Sequence, residues 1–388
     1  MSQSNEKETL ARITLGELFI NKPRIPREII SALGSAAAIF SLSQKEVYEI
    51  LGPCTEADRL RPFFERACSI YSRLLRMGIR YIRFDEPAFP ALLNEIPDAP
   101  LGLYVRSESE NPFNYASAVS VVGTRNCTSY GISCCKNIVE NIAVCAPKCA
   151  IISGLAKGID ITAHLTALEK GLPTIAVLGI GIDKTFPASH EEYADRIAST
   201  EHCAVISEYP PGSKIYSTNF LYRNRIVAAL SSSTIVVESA LKGGSMSTAK
   251  LAFDYGRSVF AVPGRIDDGS YEGCNFLIHK QIAGIVSSMS DLVKSLGFSV
   301  NDLKKGLNIN ERISEVIASC YGENTIWAAK SGLIEKILTL IAAQRDITDD
   351  EIIETLQEPY DAVAPILTQL SADGFVFRDL LSQNSLTL

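Results

Sequence analysis

The pattern of apolar and polar positions divides the chain into three stretches. Residues from about 10 to 110 read as helical and then irregular. In "IPREIISALGSAAAIFSLSQKEVYEILG" short apolar-periodic runs are separated by Leu-Gly breaks, as in small helical bundles. The centre changes period. Apolar, β-branched runs lie at Ala118–Val122, Ala150–Ile152, Thr174–Leu178, Ala204–Ile206, Thr234–Val237 and Ser258–Val262. Most recur about every 30 residues, the length of a strand, a helix and two loops. Helical patterns fall between them at Tyr130–Val144, Ile159–Lys170, Phe220–Leu230 and Met246–Tyr255. Continuous apolar strands flanked by helices predict a doubly wound, mostly parallel sheet covered on both faces.

The C-terminal stretch returns to helical spacing. Ile334, Ile337, Leu338 and Ile341 form one stripe, and Thr348 with Glu351 makes a capping box for a second helix. Val363, Ile366, Leu367 and Leu370 stripe a third, which ends at Gly374; Pro365 is expected in its first turn. Phe375–Phe377 reads as a strand. Three helices and a hairpin predict a winged helix. The third helix carries no cation with which to read DNA, which favours a protein contact for this domain.

Charge sharpens this division. From Ser331 onward ten acids face three bases, so the tail accounts for the whole formal charge of -7 and the remainder is neutral. A local basic groove is therefore compatible with an acidic protein, and the tail is a poor partner for phosphate. From Arg59 to Arg83 seven arginines face one acid, Glu65. The preferred reading is a solvated helix face, packed from beneath by Phe63, Ala67, Ile70, Leu74 and Met77; a DNA-tracking surface is the second option. The ten cysteines contain no CxxC pair and the four histidines are far apart, which disfavours a structural zinc site. No cofactor or metal is expected. The polar N-terminus and the lack of a long apolar run predict no membrane span and a cytoplasmic location.

Chemistry belongs beyond the carboxyl ends of the parallel strands. In "VVGTRNCTSYG" Gly123 lets backbone amides approach an anion, with Thr124 and Arg125 beside it. Read alone, this turn is as consistent with a plain tight turn. In "SGLAKGIDITAH" Ser153, Gly154 and Lys157 repeat the design; Asp160 reads as a brace, and His164 as a hydrogen-bonded helix residue rather than a base. "LGIGIDKTFP" carries Lys184 where a dinucleotide fingerprint needs its third glycine. "ALKGGSMSTAK" opens a helix at Gly243, Gly244 and Ser245, where unpaired amides and the helix dipole suit phosphate. "NFLYRNR" offers Phe220, placed ahead of a helix, for stacking, then Arg223, Asn224 and Arg225; Lys214 precedes it in "EYPPGSKIYST". Core packing for Phe220 and a solvated helix start for the arginines are the alternatives.

These stretches, together with "TIAVLGIGID", "VVESALKGGSMSTAKLAFDYGRSVFAVPG" and "GCNFLI", resemble the DprA/Smf family of bacterial DNA processing proteins over about Glu86 to Val286. The resemblance implies a Rossmann-like domain that binds single-stranded DNA without sequence preference. It further implies a homodimer that protects incoming DNA and loads RecA recombinase onto it during natural transformation. By position, Arg125, Phe220 and the Gly243–Ser245 loop correspond to strand contacts. The expected domains are a helical unit of the SAM or helix-hairpin-helix kind (1–85), the Rossmann-like unit (86–295), a linker (296–330) and the winged helix (331–388). Three positions depart from the family pattern: Thr124 for serine, Leu221 for proline, and Gln281-Ile282 for Gly-Ala near the expected dimer and RecA surface.

No nucleophile–base pair is evident, so no catalysis is expected. The alternative is a nucleotide-binding enzyme of the lysine-decarboxylase-like phosphoribohydrolase type, which would draw on Glu208 or Glu238.

Overall fold

The computed structural model describes residues 3–51, 57–299, 309–321, 327–344, 347–379 and 383–386. The chain forms two compact units, Met1–Ser299 and Val300–Leu388.

The first unit is built on one nine-stranded sheet. Its strands are β1 (Arg80–Arg83), β2 (Gly102–Arg106), β3 (Ser117–Val122), β4 (Cys149–Ser153), β5 (Thr174–Leu178), β6 (Ala204–Ser207), β7 (Ser233–Val236), β8 (Ser258–Ala261) and β9 (Gly284–Ile285), ordered β1-β2-β6-β5-β4-β3-β7-β8-β9. From β6 to β9 every pairing is parallel, whereas β1–β2 and β2–β6 are antiparallel. All six expected strands are present. Four of the seven parallel strands, β4, β5, β6 and β7, are buried at every position, which is why they read as unbroken apolar runs. After β6 the chain returns to place β7 beside β3, so successive crossovers leave β3 in opposite directions. That switch point is where an open sheet leaves a crevice.

The helices Ser129–Cys145, Ile159–Glu169, Ser217–Ala229 and Gly244–Asp254 match the expected ones. A further helix, Glu191–Ser199, joins β5 to β6. The N-terminal helices belong to the same compact unit as the sheet, and β1 starts at Arg80, so the expected boundary at residue 85 cuts through the fold. Along helix Ala57–Met77, Ala67, Ile70 and Leu74 are buried as expected, but Met77 is 42% exposed.

The second unit contains helices Ile309–Cys320, Ser331–Ala343, Asp349–Leu356 and Tyr360–Ala372, with short strands Ile347–Thr348, Val376–Arg378 and Gln383–Leu386 in an antiparallel sheet. The Thr348–Glu351 capping box is formed, and Gly374 takes φ 77. Pro365 is the sixth residue of its helix and so lies in the second turn, not the first. The expected linker is corrected here: Ile313 and Tyr321 are buried in the same core as Ile334, Leu338 and Val363. Among the described residues no helix is long and apolar enough to cross a membrane.

Candidate nucleic-acid interface

The turn after β3 is held from both sides. Thr124 N–H donates to the Glu238 carbonyl at 2.7 Å, and Ile159 N–H donates to the Thr124 carbonyl at 3.2 Å. The loops leave no space for side chains: a Cβ at Gly123 would lie 2.5 Å from Ile159 Cγ1, and one at Gly158 2.3 Å from the Thr124 carbonyl. Gly158 also takes φ 78. These glycines fix the direction in which Arg125 leaves the sheet. Arg125 is exposed and, among the described residues, forms no ion pair.

The loop after β4 is braced by Asp160, whose Oδ2 accepts from Gly154 N at 3.1 Å and Ala156 N at 3.4 Å. Burial pushes the Asp160 carboxyl up, and the Arg223 guanidinium opposes this. Arg223 is only 6% exposed and donates from Nη1 to the Val177 carbonyl at 2.5 Å. Burial pulls its pKa down, Asp160 counters, and Arg125 adds repulsion. Guanidinium stays charged under such pressure. Two cations therefore line the crevice with a single carboxylate.

Asn224 ties helix Ser217–Ala229 to helix Gly244–Asp254 beside the cleft. Its Nδ2 donates to Ser247 Oγ at 2.9 Å and to the Gly244 carbonyl at 3.3 Å. Helix Gly244–Asp254 begins without a side-chain cap. Met246 N–H donates back to the Gly243 carbonyl at 3.1 Å, so the amides of Gly244 and Ser245 are the first-turn donors ahead of the helix ladder, where the dipole is positive. Ser245 Oγ donates to Ser239 Oγ at 2.7 Å. Phe220 lies within the first turn of helix Ser217–Ala229 rather than ahead of it, half-buried, with its ring 5.2 Å from that of Phe186. Gly179 lets the start of this helix approach β5 closely, since a Cβ there would stand 3.0 Å from Phe220 Cα.

Gly123, Thr124, Arg125, Gly154, Phe220, Arg223, Asn224, Gly243, Gly244 and Ser245 thus line one cleft of about 350 Å³ at the switch point. Leu221, Val227 and Thr248 also line it. Only the exposed Leu221, conspicuous as a departure from the family pattern, had a signal in the sequence.

Four expected site residues lie elsewhere. Ser153 is fully buried and donates to the Val121 carbonyl at 2.6 Å, so its hydroxyl stitches β4 to β3. Lys157 is exposed outside the cleft lining. Lys214 lines a separate groove with Arg66 and Arg73. Arg225 is 2% exposed, paired with Glu208 at 2.5 Å and stacked 4.2 Å over Tyr222. A guanidinium that is itself buried against its carboxylate presents no donor to a ligand. The arginines of "NFLYRNR" are therefore neither a shared groove nor a solvated helix start: Arg223 faces the cleft and Arg225 the core.

The acids of the enzyme alternative are also occupied. Glu208 holds Arg225, and Glu238, fully buried, accepts from Thr128 and from the Tyr271 hydroxyl. Neither lines the cleft. His164 is fully buried with Nδ1 2.7 Å from Thr174 Oγ1. It has the hydrogen-bonded role expected of it.

The family model for DNA recombination-mediator protein A matches residues 80–297, from the first residue of β1. The chain belongs to this family. It is 37% identical over 213 residues to DNA processing protein DprA of Streptococcus pneumoniae, covering 55% of this chain and 73% of that protein. Protein Smf of Synechocystis is 38% identical over 220 residues, with 56% and 54% covered. The X-ray structure of the pneumococcal protein aligns with TM-score 0.60 and 29% identity over 75% of this chain and 96% of that one. DNA processing protein A of Helicobacter pylori, whose structure concerns a single-stranded DNA binding mode, aligns with TM-score 0.50 and 28% identity, covering 56% and 95%.

Proposed function

We propose that this chain binds single-stranded DNA without sequence preference in the cleft at the β3–β7 switch point. Arg125 and Arg223 carry this reading. They repel each other across a cleft that offers one carboxylate, Asp160, and a phosphate between them turns that repulsion into two attractions. The Gly244 and Ser245 amides at the start of helix Gly244–Asp254 add donors, and Phe220 offers its ring to a base. None of these contacts reads a base edge, which accounts for indifference to sequence. The binding mode named for the Helicobacter pylori relative supports the same ligand class.

The role assigned is non-catalytic: the protein covers the incoming strand and delivers it to RecA recombinase in the cytoplasm. The family description, recombination mediator, supports the delivery step. Assembly as a homodimer is part of the proposal, with the short outer strand β9 and its half-exposed Ile285 as the available sheet edge.

A salt titration comparing single-stranded with duplex DNA tests the reading. Single strands are expected to bind more tightly, with affinity falling steeply as salt rises. Preference for duplex rejects it. Incubation with nucleoside monophosphates is expected to release no free base.

A further inference from the structure

We propose that the strand path leaves the cleft, crosses Phe186 and Tyr216, and continues into a second cationic groove between helix Ala57–Met77 and the Pro210–Lys214 loop. This rests on the single-strand reading of the cleft. The groove has a volume of about 330 Å³ and is lined by Arg66, Ser69, Arg73 and Lys214. The spacing of Arg66, Ser69 and Arg73 puts them on one helix face.

Buried acids hold the arginines by one edge. Arg73 Nη2 lies 2.8 Å from Asp183 Oδ2, with Asp183 2% exposed and Arg73 44% exposed. Arg66 pairs in the same way with Glu17, 4% exposed against 56% for the arginine. Guanidinium has five donors, so an edge given to a carboxylate leaves others for phosphate. The heads are fixed in place yet open to solvent. Lys214 is exposed on the facing loop.

The groove and the cleft share a connecting loop. Asp183 Oδ1 accepts from Gly212 N at 2.9 Å, which fastens the Pro210–Lys214 loop to the Arg73 side. Three residues on, Phe186 rests 5.2 Å from Phe220 at the cleft. Between the two cationic sites Phe186, Ile215 and Tyr216 are 44%, 47% and 55% exposed. Cations at both ends and exposed rings between them suit a polymer with a charged backbone and accessible bases. A duplex hides its bases and would use only the charges.

The test measures the full-length chain with oligothymidylates of increasing length. Wild-type affinity is expected to keep rising after the cleft is filled. A Lys214→Ala, Tyr216→Ala double variant is expected to bind the shortest oligomer as the wild type does. On a 20-mer it loses about tenfold in affinity, and its salt slope falls by about 0.7 for the lost phosphate contact. Equal affinity of the variant and wild type for the 20-mer overturns the extended path. So does an equal loss on short and long oligomers, which would place Lys214 in the cleft, or an equal loss on duplex, which would leave the rings no role. Arg125→Ala on the shortest oligomer reports the cleft alone; if it changes nothing there, the cleft reading fails and the extension with it.

Discussion

Gly154 lies directly against the Arg223 guanidinium: a Cβ at residue 154 would stand 1.9 Å from Arg223 Nη1. The glycine makes room for the buried cation, and the cation keeps one bond to the Val177 carbonyl. Gly154→Ala must push the arginine aside. It is expected to cost about 1–3 kcal/mol of stability through overpacking and to weaken oligonucleotide binding together with it. Urea unfolding and fluorescence anisotropy on the same sample check both effects.

Arg125 and Phe220 should fail in different ways. Arg125→Ala is expected to weaken single-strand binding and reduce the slope of log affinity against log salt by about 0.7, because one phosphate contact is lost. Phe220→Ala is expected to cost about 1–3 kcal/mol with the slope unchanged. Unaltered affinity in both, with circular dichroism unchanged, rejects the cleft.

Arg225 should matter to folding rather than to binding. Removing it leaves Glu208 buried without its partner, and Arg225→Ala is expected to cost about 3–5 kcal/mol. A second change, Glu208→Gln, is expected to recover part of that loss. Chemical denaturation of the single and double variants gives the coupling between the two.

His164 gives the stability a pH dependence. Burial, with the Arg223 charge adding to it, pulls its pKa from 6.5 to about 3. An unfolded chain takes up a proton near pH 6.5 that the folded chain refuses. Stability is therefore full above pH 6.5 and falls as the pH drops toward 3, by about 1.4 kcal/mol per unit. His164→Gln is expected to flatten this slope, as read from unfolding midpoints between pH 7 and 5.

Gln281 sits just beyond helix Glu272–His279 with φ 58, a left-handed position that glycine fills without strain. Gln281→Gly is expected to raise stability by about 1 kcal/mol, measured by calorimetry.

Legibility followed burial. β4 to β7 lie inside the sheet, and their apolar runs were plain. β1, "RYIR", was not, because this edge strand carries two half-buried arginines and fully buries only Ile82. Helix Glu191–Ser199 escaped because four charged residues in nine leave Ala194, Ile197 and Ala198 as its whole buried face. At the site, the glycines marked the strand and helix ends that meet at the cleft, although the turn carrying Arg125, read alone, was as consistent with a plain tight turn. The opposed duties of Arg223 and Arg225 could not be read: the latter is decided by Glu208, seventeen positions upstream in the chain, and local pattern carries no trace of where a partner waits.

β1 and β2 close the β6 side of the sheet, and β1 emerges directly after the arginine-bearing helix. The N-terminal region is thus no detachable appendage. A chain begun at residue 86 would bare the outer edge of β2 from Gly102 to Val105, inviting self-association through that flank.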